Sequence, residues 1–399
     1  MNKNFYLLMG SRVFSNIGDS LFYVFMMWYI YNNFTSEIWL GLAGVMFTLP
    51  SIFGFLFGPI IDRYSPKKTY ILISIMQLLI ILILIIYQYM SVPTAPIILL
   101  FILAMSITTE ISYPLESVII PRVVKKKSMY KANSLMSISD NTIDMFANGL
   151  SGIMIASFSL MIILNINMIL FLLPVLLMMM LNIIYTDENE ETVDYSYRGS
   201  LKEGFLFTMK RKILNLVLPL IIINFTFSMV LVALPEFSNK LAGPETYGLM
   251  LMAFGIGSII GASIVNKVMY FFSFKYLTIF CFLFAGISWL FMVFFTQNSI
   301  YLTFMLITVS YIFVGMINVM YTTLFQVIPS EKLIGRVNTI VESMISSAMP
   351  IGSLVAGLLL VKYNVESIIS TFGFSLLLMS FVYLFIINKN DYDDFMKKQ

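Results

Sequence analysis

Residues 69–90 contain no charged side chain, and apolar stretches of similar length recur along the chain. A helix that crosses a bilayer needs roughly 20 apolar residues, whereas a barrel strand needs about ten in alternation. The continuous runs therefore point to membrane-spanning helices and against a barrel. Windows of helical length place spans near 6–31, 38–60, 69–90, 97–118, 133–156, 158–184, 213–235, 246–268, 274–296, 299–322, 338–361 and 366–388. Twelve spans occupy ~240 residues, close to the 59% of the 399 that are hydrophobic, which leaves almost nothing for a soluble domain. Water-soluble globules carry about a quarter charged residues; this chain carries 11%, with a mean hydropathy of +0.90.

Charge orients the spans. Arg122, Lys125, Lys126, Lys127 and Lys131 precede the fifth span, and Arg198, Lys202, Lys210, Arg211 and Lys212 follow the sixth. Basic loops face the cytoplasm, so an even number of spans separates these clusters. With both termini inside, every Lys and Arg except Arg12, Lys240 and Lys362 falls on the cytoplasmic side. The longest polar stretch, acidic from Asp187 to Asp194 and basic from Arg198 to Lys212, divides the chain. The expected architecture is all-α and integral to the membrane: a six-helix bundle over 1–184, a cytoplasmic linker over 185–212 and a second six-helix bundle over 213–399. Two pseudo-symmetric halves imply a binding cavity near the midplane.

Composition excludes several functions. The balance of 24 basic to 21 acidic residues supports no nucleic-acid partner. The absence of histidine removes imidazole metal sites and imidazole proton relays. Cys281 is the sole cysteine, so no intramolecular disulfide forms. The first apolar run lacks a small-residue cleavage site and reads as a retained span. The 30 methionines lie among Ile, Leu and Phe, as adaptable packing residues do. No metal or cofactor is expected, and the lipid bilayer and a small-molecule substrate are the expected partners of a monomer.

Carboxylates inside spans are the informative exceptions. Each ionised group near the bilayer centre costs about 2.5–3.5 kcal/mol on insertion scales, so such residues face protein or a water-filled cavity. Asp19, Glu110 and Asp144 fall 11–13 residues along their spans, near mid-depth at about 1.5 Å per residue. Asp140, Asp144 and Asn148 recur at four-residue intervals and form one polar stripe on the fifth span, either lining a cavity or forming a seam between helices. Glu116 and Glu342 lie at cytoplasmic span ends, where water is within reach. Arg12 is seven residues from Asp19, about 10 Å along the axis, and either meets a carboxylate of another helix, with Glu110 and Asp140 as candidates, or contacts substrate. Buried carboxylates can gain or release a proton as their surroundings change, which supplies energy coupling without histidine. Gly54 with Gly58 and Gly257 with Gly261 have the small-xxx-small spacing of closely packed membrane helices.

At the cytoplasmic end of the second span the chain reads Gly58-Pro59-Ile60-Ile61-Asp62-Arg63-Tyr64-Ser65-Pro66-Lys67-Lys68, which resembles the loop signature of the major facilitator superfamily. The resemblance implies that Gly58 permits tight packing and that Asp62, Arg63 and Lys67 belong to a cytoplasmic gate latched at a helix N-terminus. A carboxylate there gains up to about 1 kcal/mol when exposed, which suits a reversible contact. Ser65 and Pro66 replace the usual Gly and Arg. Further segments are similar to the macrolide-efflux-like branch of the drug/proton antiporters: Ser15-Asn16-Ile17-Gly18-Asp19, Ala132-Asn133-Ser134-Leu135, Glu203-Gly204, Thr323-Leu324-Phe325-Gln326-Val327-Ile328-Pro329, Gly335-Arg336-Val337 and Met349-Pro350-Ile351-Gly352. Gly335 and Arg336 join the gating candidates on this basis. Where many proton-coupled members carry an arginine in span four, residues 97–121 hold no Arg or Lys and offer Glu110.

These observations lead to a non-enzymatic, proton-driven transporter in a bacterial plasma membrane, exporting a hydrophobic cation of macrolide type. Arg12, Asp19, Glu110, Asp140, Asp144 and Asn148 are the candidate substrate or proton residues. An endogenous metabolite, peptide or siderophore is the alternative cargo. A remoter alternative is a membrane-embedded prenyl-group transferase, since Asp140-Asn141-Thr142-Ile143-Asp144 looks like half of an aspartate-rich pyrophosphate site; such sites need a second acidic cluster to hold Mg²⁺.

Overall fold

The computed structural model describes residues 2–54, 65–125, 128–182, 197–295, 299–329, 333–387 and 392; inside its helices, some side chains lie outside the description. The described residues form helices joined by short turns, in the order α1 (Lys3–Asn33), α2 (Ile38–Ile52), α3 (Pro66–Met90), α4 (Ala95–Val123), α5 (Met129–Ser157), α6 (Leu160–Met180), α7 (Tyr197–Thr208), α8 (Arg211–Leu241), α9 (Pro244–Phe271), α10 (Phe274–Phe295), α11 (Ile300–Val327), α12 (Ile334–Ser346), α13 (Met349–Leu360) and α14 (Val365–Ile386).

Local chemistry explains the boundaries. The Asn2 side chain accepts a hydrogen bond from the Phe5 amide at 3.0 Å and caps α1. Proline opens α3 at Pro66 and α9 at Pro244, where a missing N–H is not needed. Between α8 and α9 the chain reverses at Gly243, whose φ of +98° suits a residue without Cβ, and Thr246 donates back to the Ser238 carbonyl at 2.9 Å. The eleventh span, expected as one run over 338–361, is interrupted: α12 ends at Ser346 and α13 begins at Met349. Pro350 explains the break, because it has no N–H to offer the Ser346 carbonyl one turn earlier.

Among the described residues, nine helical segments are long and apolar enough to cross a membrane, with α12 and α13 counted together over Arg336–Leu360. Three expected spans fall outside that set. The described part of α2 is short, while α1 and α5 carry the intramembrane polar residues. The chemistry that lowers the hydropathy of α1 and α5 is the chemistry singled out above. Many large apolar side chains face outward, among them Leu72 at 58%, Phe381 at 59% and Phe385 at 73% exposure, as a lipid-facing surface requires.

The chain forms two compact units, 1–35 with 46–193 and 36–45 with 194–399. In the first, α1 packs on α5, α6 and α4, and α3 packs on α4 and α6. Phe5, Leu8, Tyr70, Ile119, Val123, Met136 and Met178 form a core cluster there. The second unit is held by α9 on α11, α10 on α11 and α14, and α8 on α13 and α14. Its centre is aromatic: Phe254 stacks on Tyr311 at 4.3 Å, and Trp289 meets Phe372 edge-on at 5.0 Å while donating its indole N–H to the Ile369 carbonyl at 2.8 Å. The spacing of Gly257 and Gly261 is explained by helix packing. A Cβ on Gly257 would lie 2.5 Å from the Thr308 carbonyl oxygen, and one on Gly261 would collide with that of Ile312.

Candidate functional site

α1 and α4 run antiparallel and share a polar seam. Arg12 Nε lies 3.2 Å from Glu116 Oε2, and one heptad further along α1, one heptad back along α4, Thr109 Oγ1 donates to Asp19 Oδ1 at 2.9 Å. The equal steps keep both contacts on the facing sides of the two helices. α3 adds to each: Tyr70 donates its hydroxyl to Glu116 Oε1 at 3.3 Å, and Gln77 Nε2 reaches Asp19 Oδ1 at 3.5 Å and Thr109 Oγ1 at 3.3 Å. Ser11 in turn donates to the Tyr70 hydroxyl at 3.4 Å.

The two ends of the seam differ in access to water. The Arg12 and Glu116 side chains are 1% and 7% exposed, so this is a buried ion pair. Glu116 is therefore not the water-facing group that its place near a span end implied, whereas Glu342 is exposed. Arg12 meets this third carboxylate, which was not among the partners expected for it.

Asp19 is half-buried and opens onto a cavity of about 160 Å³. Asp19, Phe22 and Tyr23 of α1, Phe47 of α2, and Met105, Ser106, Thr109 and Glu110 of α4 line it. The structure thus brings Asp19 and Glu110, 91 residues apart in sequence, to one space within the first unit. Tyr23 and Phe47 meet edge-on at 4.7 Å and give the cavity an aromatic wall. Gly54, just beyond α2, lies beside the Glu110 carboxylate, and a Cβ there would come 2.8 Å from Glu110 Oε1. Its lack of a side chain makes room for a carboxylate rather than for a helix backbone. Carboxylates beside aromatic faces and a thioether make a cavity suited to a cation with an apolar body.

The other sequence candidates are dispersed. Asp140 and Asp144 belong to α5, which packs on α1, but their side chains are outside the described residues. Asn148, on the same helix, is half-buried. Gly58, Asp62 and Arg63 lie outside the described residues. Lys67, in the first turn of α3, donates to the Leu181 carbonyl and, at 3.3 Å, to that of Met179, placing its charge at the C-terminal end of α6, where the helix dipole favours a cation. Gly335 lies in the first turn of α12. Arg336 pairs with Glu203 of α7 at 3.1 Å, and Gly204 lets α7 approach Arg336 and Ile340. Two short motifs more than 130 residues apart, Glu203-Gly204 and Gly335-Arg336-Val337, thus meet in space.

Sequence reasoning missed Gln77, Thr109 and Tyr70. Gln77 was visible as the mid-span amide of an apolar run whose other amide, Gln88, lies near its end, and an amide at mid-span marks a hydrogen-bonded interior position as a carboxylate does. Asn167 belongs to the same class: it is 1% exposed and donates to the Gly18 carbonyl at 3.0 Å.

The sequence profile of the transmembrane secretion effector family, a branch of the major facilitator superfamily, matches residues 1–398. The chain belongs to this family. It is similar to the uncharacterized MFS-type transporter YfmI of Bacillus subtilis (strain 168), with 24% identity over 67% of this chain and 68% of that protein. Among solved structures it resembles a mutant of the nucleoside transporter NupG, with a TM-score of 0.78 and 13% identity over 97% of this chain and all of that one. A bacterial homologue of the iron transporter ferroportin follows at 0.73 and 14% identity, covering 96% and 98% of the two chains. A bacterial homologue of the lysosomal transporter Spinster scores 0.72 at 13% identity, over 100% and 98%. At such identities these structures share a fold, and the chain is a multi-pass membrane transporter of small molecules with the major facilitator fold.

Proposed function

We propose that the chain is a proton-coupled exporter, working by alternating access in a bacterial plasma membrane with both termini cytoplasmic, and that its cargo is a hydrophobic cation. The observation that carries this reading is the convergence of Asp19 and Glu110 on one cavity with Phe22, Tyr23, Phe47 and Met105. Carboxylates attract a cation or a proton, and occupation by one displaces the other; that competition is the simplest form of antiport. The aromatic and thioether surfaces take the apolar body of the cargo. Macrolides carrying an amino group, cationic dyes and quaternary biocides all have this chemistry. In the same reading Asp62, Arg63, Lys67 and Arg336 act at the cytoplasmic gate, and Asp140, Asp144 and Asn148 extend the polar lining from α5.

Inverted membrane vesicles provide the test. A preformed pH gradient is challenged with macrolides, quinolones and cationic dyes one at a time, with the Asp19→Asn/Glu110→Gln double variant as control. Collapse of the gradient by cationic compounds in the wild type, absent in the double variant, is the expected result. No response to any compound from folded, abundant protein would refute drug export and direct the search to an endogenous metabolite or peptide.

A further inference from the structure

The linker helix α7 is docked along one side and exposed along the other. Gly204 abuts α12, where a Cβ would lie 2.9 Å from Ile340 Cδ1 and 3.1 Å from Arg336 Cβ, and Thr208, one turn on, is 0% exposed. Away from that contact, Phe205 and Leu206 are 50% and 58% exposed. At 3.6 residues per turn, Arg198, Lys202 and Leu206 follow one another at four-residue intervals and Phe205 is seven residues from Arg198, so basic and apolar positions share this outer stripe. From Arg198 to Lys212 the chain has five Lys or Arg and one acidic residue, Glu203, which pairs with Arg336. Lys210 is exposed, with its ammonium 4.2 Å above the Phe207 ring.

Chain connectivity holds this helix at the membrane surface. Only Met209 and Lys210 separate it from α8, so the link reaches at most about 11 Å, and α8 is a membrane span from Lys212 onward. Its other neighbour, α12, enters the apolar segment that begins at Arg336, the residue Glu203 touches. The chain reverses between α8 and α9, which brings the end of α9 to the same level. There Tyr270 and Phe271 are 87% and 77% exposed, as in the aromatic belt of a membrane–water interface. An exposed Phe-Leu pair in that zone enters the boundary between headgroups and acyl chains, and Lys or Arg beside it reaches lipid phosphates on a flexible stem. An acidic protein would match the charge but would leave the apolar pair at bilayer level without a purpose.

We infer that the outer face of α7 binds anionic phospholipid, with Phe205 and Leu206 entering the leaflet while the surrounding Lys and Arg hold headgroup phosphates. The orientation proposed above assigns the site to the cytoplasmic leaflet, whose surface is negative. Because the opposite face of α7 rests on α12, the site ties the first half of the interrupted eleventh span to the membrane surface.

The test uses the full-length chain with Leu206→Cys, labelled with the fluorophore NBD and reconstituted into phosphatidylcholine vesicles containing a minor share of phosphatidylglycerol. Cys281 is 0% exposed, which shields it from the label. A nitroxide quencher near the head of the acyl chain is carried either by the phosphatidylglycerol or, in equal amount, by phosphatidylcholine. Quenching is expected from both lipids, and at least threefold more strongly from phosphatidylglycerol. Each Lys or Arg near an anionic surface strengthens attraction about fivefold, so adding Lys202→Gln and Lys210→Gln should abolish the preference. Rising salt should erode it with those lysines in place. Equal quenching by the two lipids at low salt would show a face that meets the bilayer without selecting charge, and would overturn the inference. So would a complete lack of quenching, the result expected if water or another part of the chain covers the face. A preference that survived both high salt and the loss of Lys202 and Lys210 would overturn it as well.

Discussion

Replacing Arg12 by methionine strands the Glu116 carboxylate in the first unit, and the structure sets the size of the penalty. Both side chains are nearly fully enclosed and their charged atoms are 3.2 Å apart. At an effective dielectric of about 20, their attraction is about 5 kcal/mol, and breaking a buried pair by removing one partner typically costs 3–5 kcal/mol because a charge is left behind. Arg12→Met and Glu116→Gln should each destabilise the protein by about that amount. Arg12→Met combined with Glu116→Leu removes both charges, and buried pairs replaced in this way are often neutral or stabilising. The Tyr70 hydroxyl then loses its acceptor at about 1–3 kcal/mol, which adding Tyr70→Phe should recover. Equilibrium unfolding in mixed micelles of rising SDS content, followed by circular dichroism, yields the double-mutant cycle. A coupling energy of at least ~3 kcal/mol is expected. Additive single effects, or single effects below ~1 kcal/mol, would refute the claim that this pair is buried and interdependent.

Other consequences follow from the same geometry. Gly261→Val forces α9 and α11 apart, because its Cβ meets the Ile312 carbonyl, and should abolish the monodisperse peak in size-exclusion chromatography. Trp289→Phe removes the hydrogen bond to Ile369 and should cost about 1–3 kcal/mol in the SDS assay. Glu203→Ala should change stability by no more than about 1 kcal/mol, since the Glu203 and Arg336 side chains are 63% and 29% exposed; a larger loss would show that the α7 contact does more than its ion pair. Asp62→Asn should slow turnover in vesicles more than it weakens substrate binding, as a gating role requires, and an unchanged turnover rate would remove Asp62 from the gate.

Much of this fold is written in its hydropathy, because lipid imposes one simple condition: every backbone polar group in a span must be satisfied within the span. That condition makes helices of long apolar runs and explains why residues 69–90 were legible without a partner. It does not show which residues touch. Glu116 and Glu342 look alike in sequence, each near a cytoplasmic span end, yet one is buried against Arg12 and the other is exposed. The difference comes from the register between α1 and α4, a tertiary property that no window of sequence contains. The same register brings Thr109 to Asp19 and leaves the neighbouring Glu110 in the cavity. Gly54 illustrates the limit from the other side. Its spacing predicted a helix contact, but the neighbour it accommodates is a carboxylate. The break in the eleventh span was legible in Pro350 and in the polar Glu342, Ser343, Ser346 and Ser347 that precede it.

Cargo binding to purified protein reports directly on the competition of protons and cations for Asp19 and Glu110. Isothermal titration with methylphenylpyridinium in buffers of different ionisation enthalpy reports both the affinity and the protons released. Competition predicts proton release on binding to the wild type, affinity that rises with pH, and at least tenfold weaker binding in Asp19→Asn/Glu110→Gln, which corresponds to about 1.4 kcal/mol. Binding of equal strength in the double variant, or binding without proton release, would contradict it.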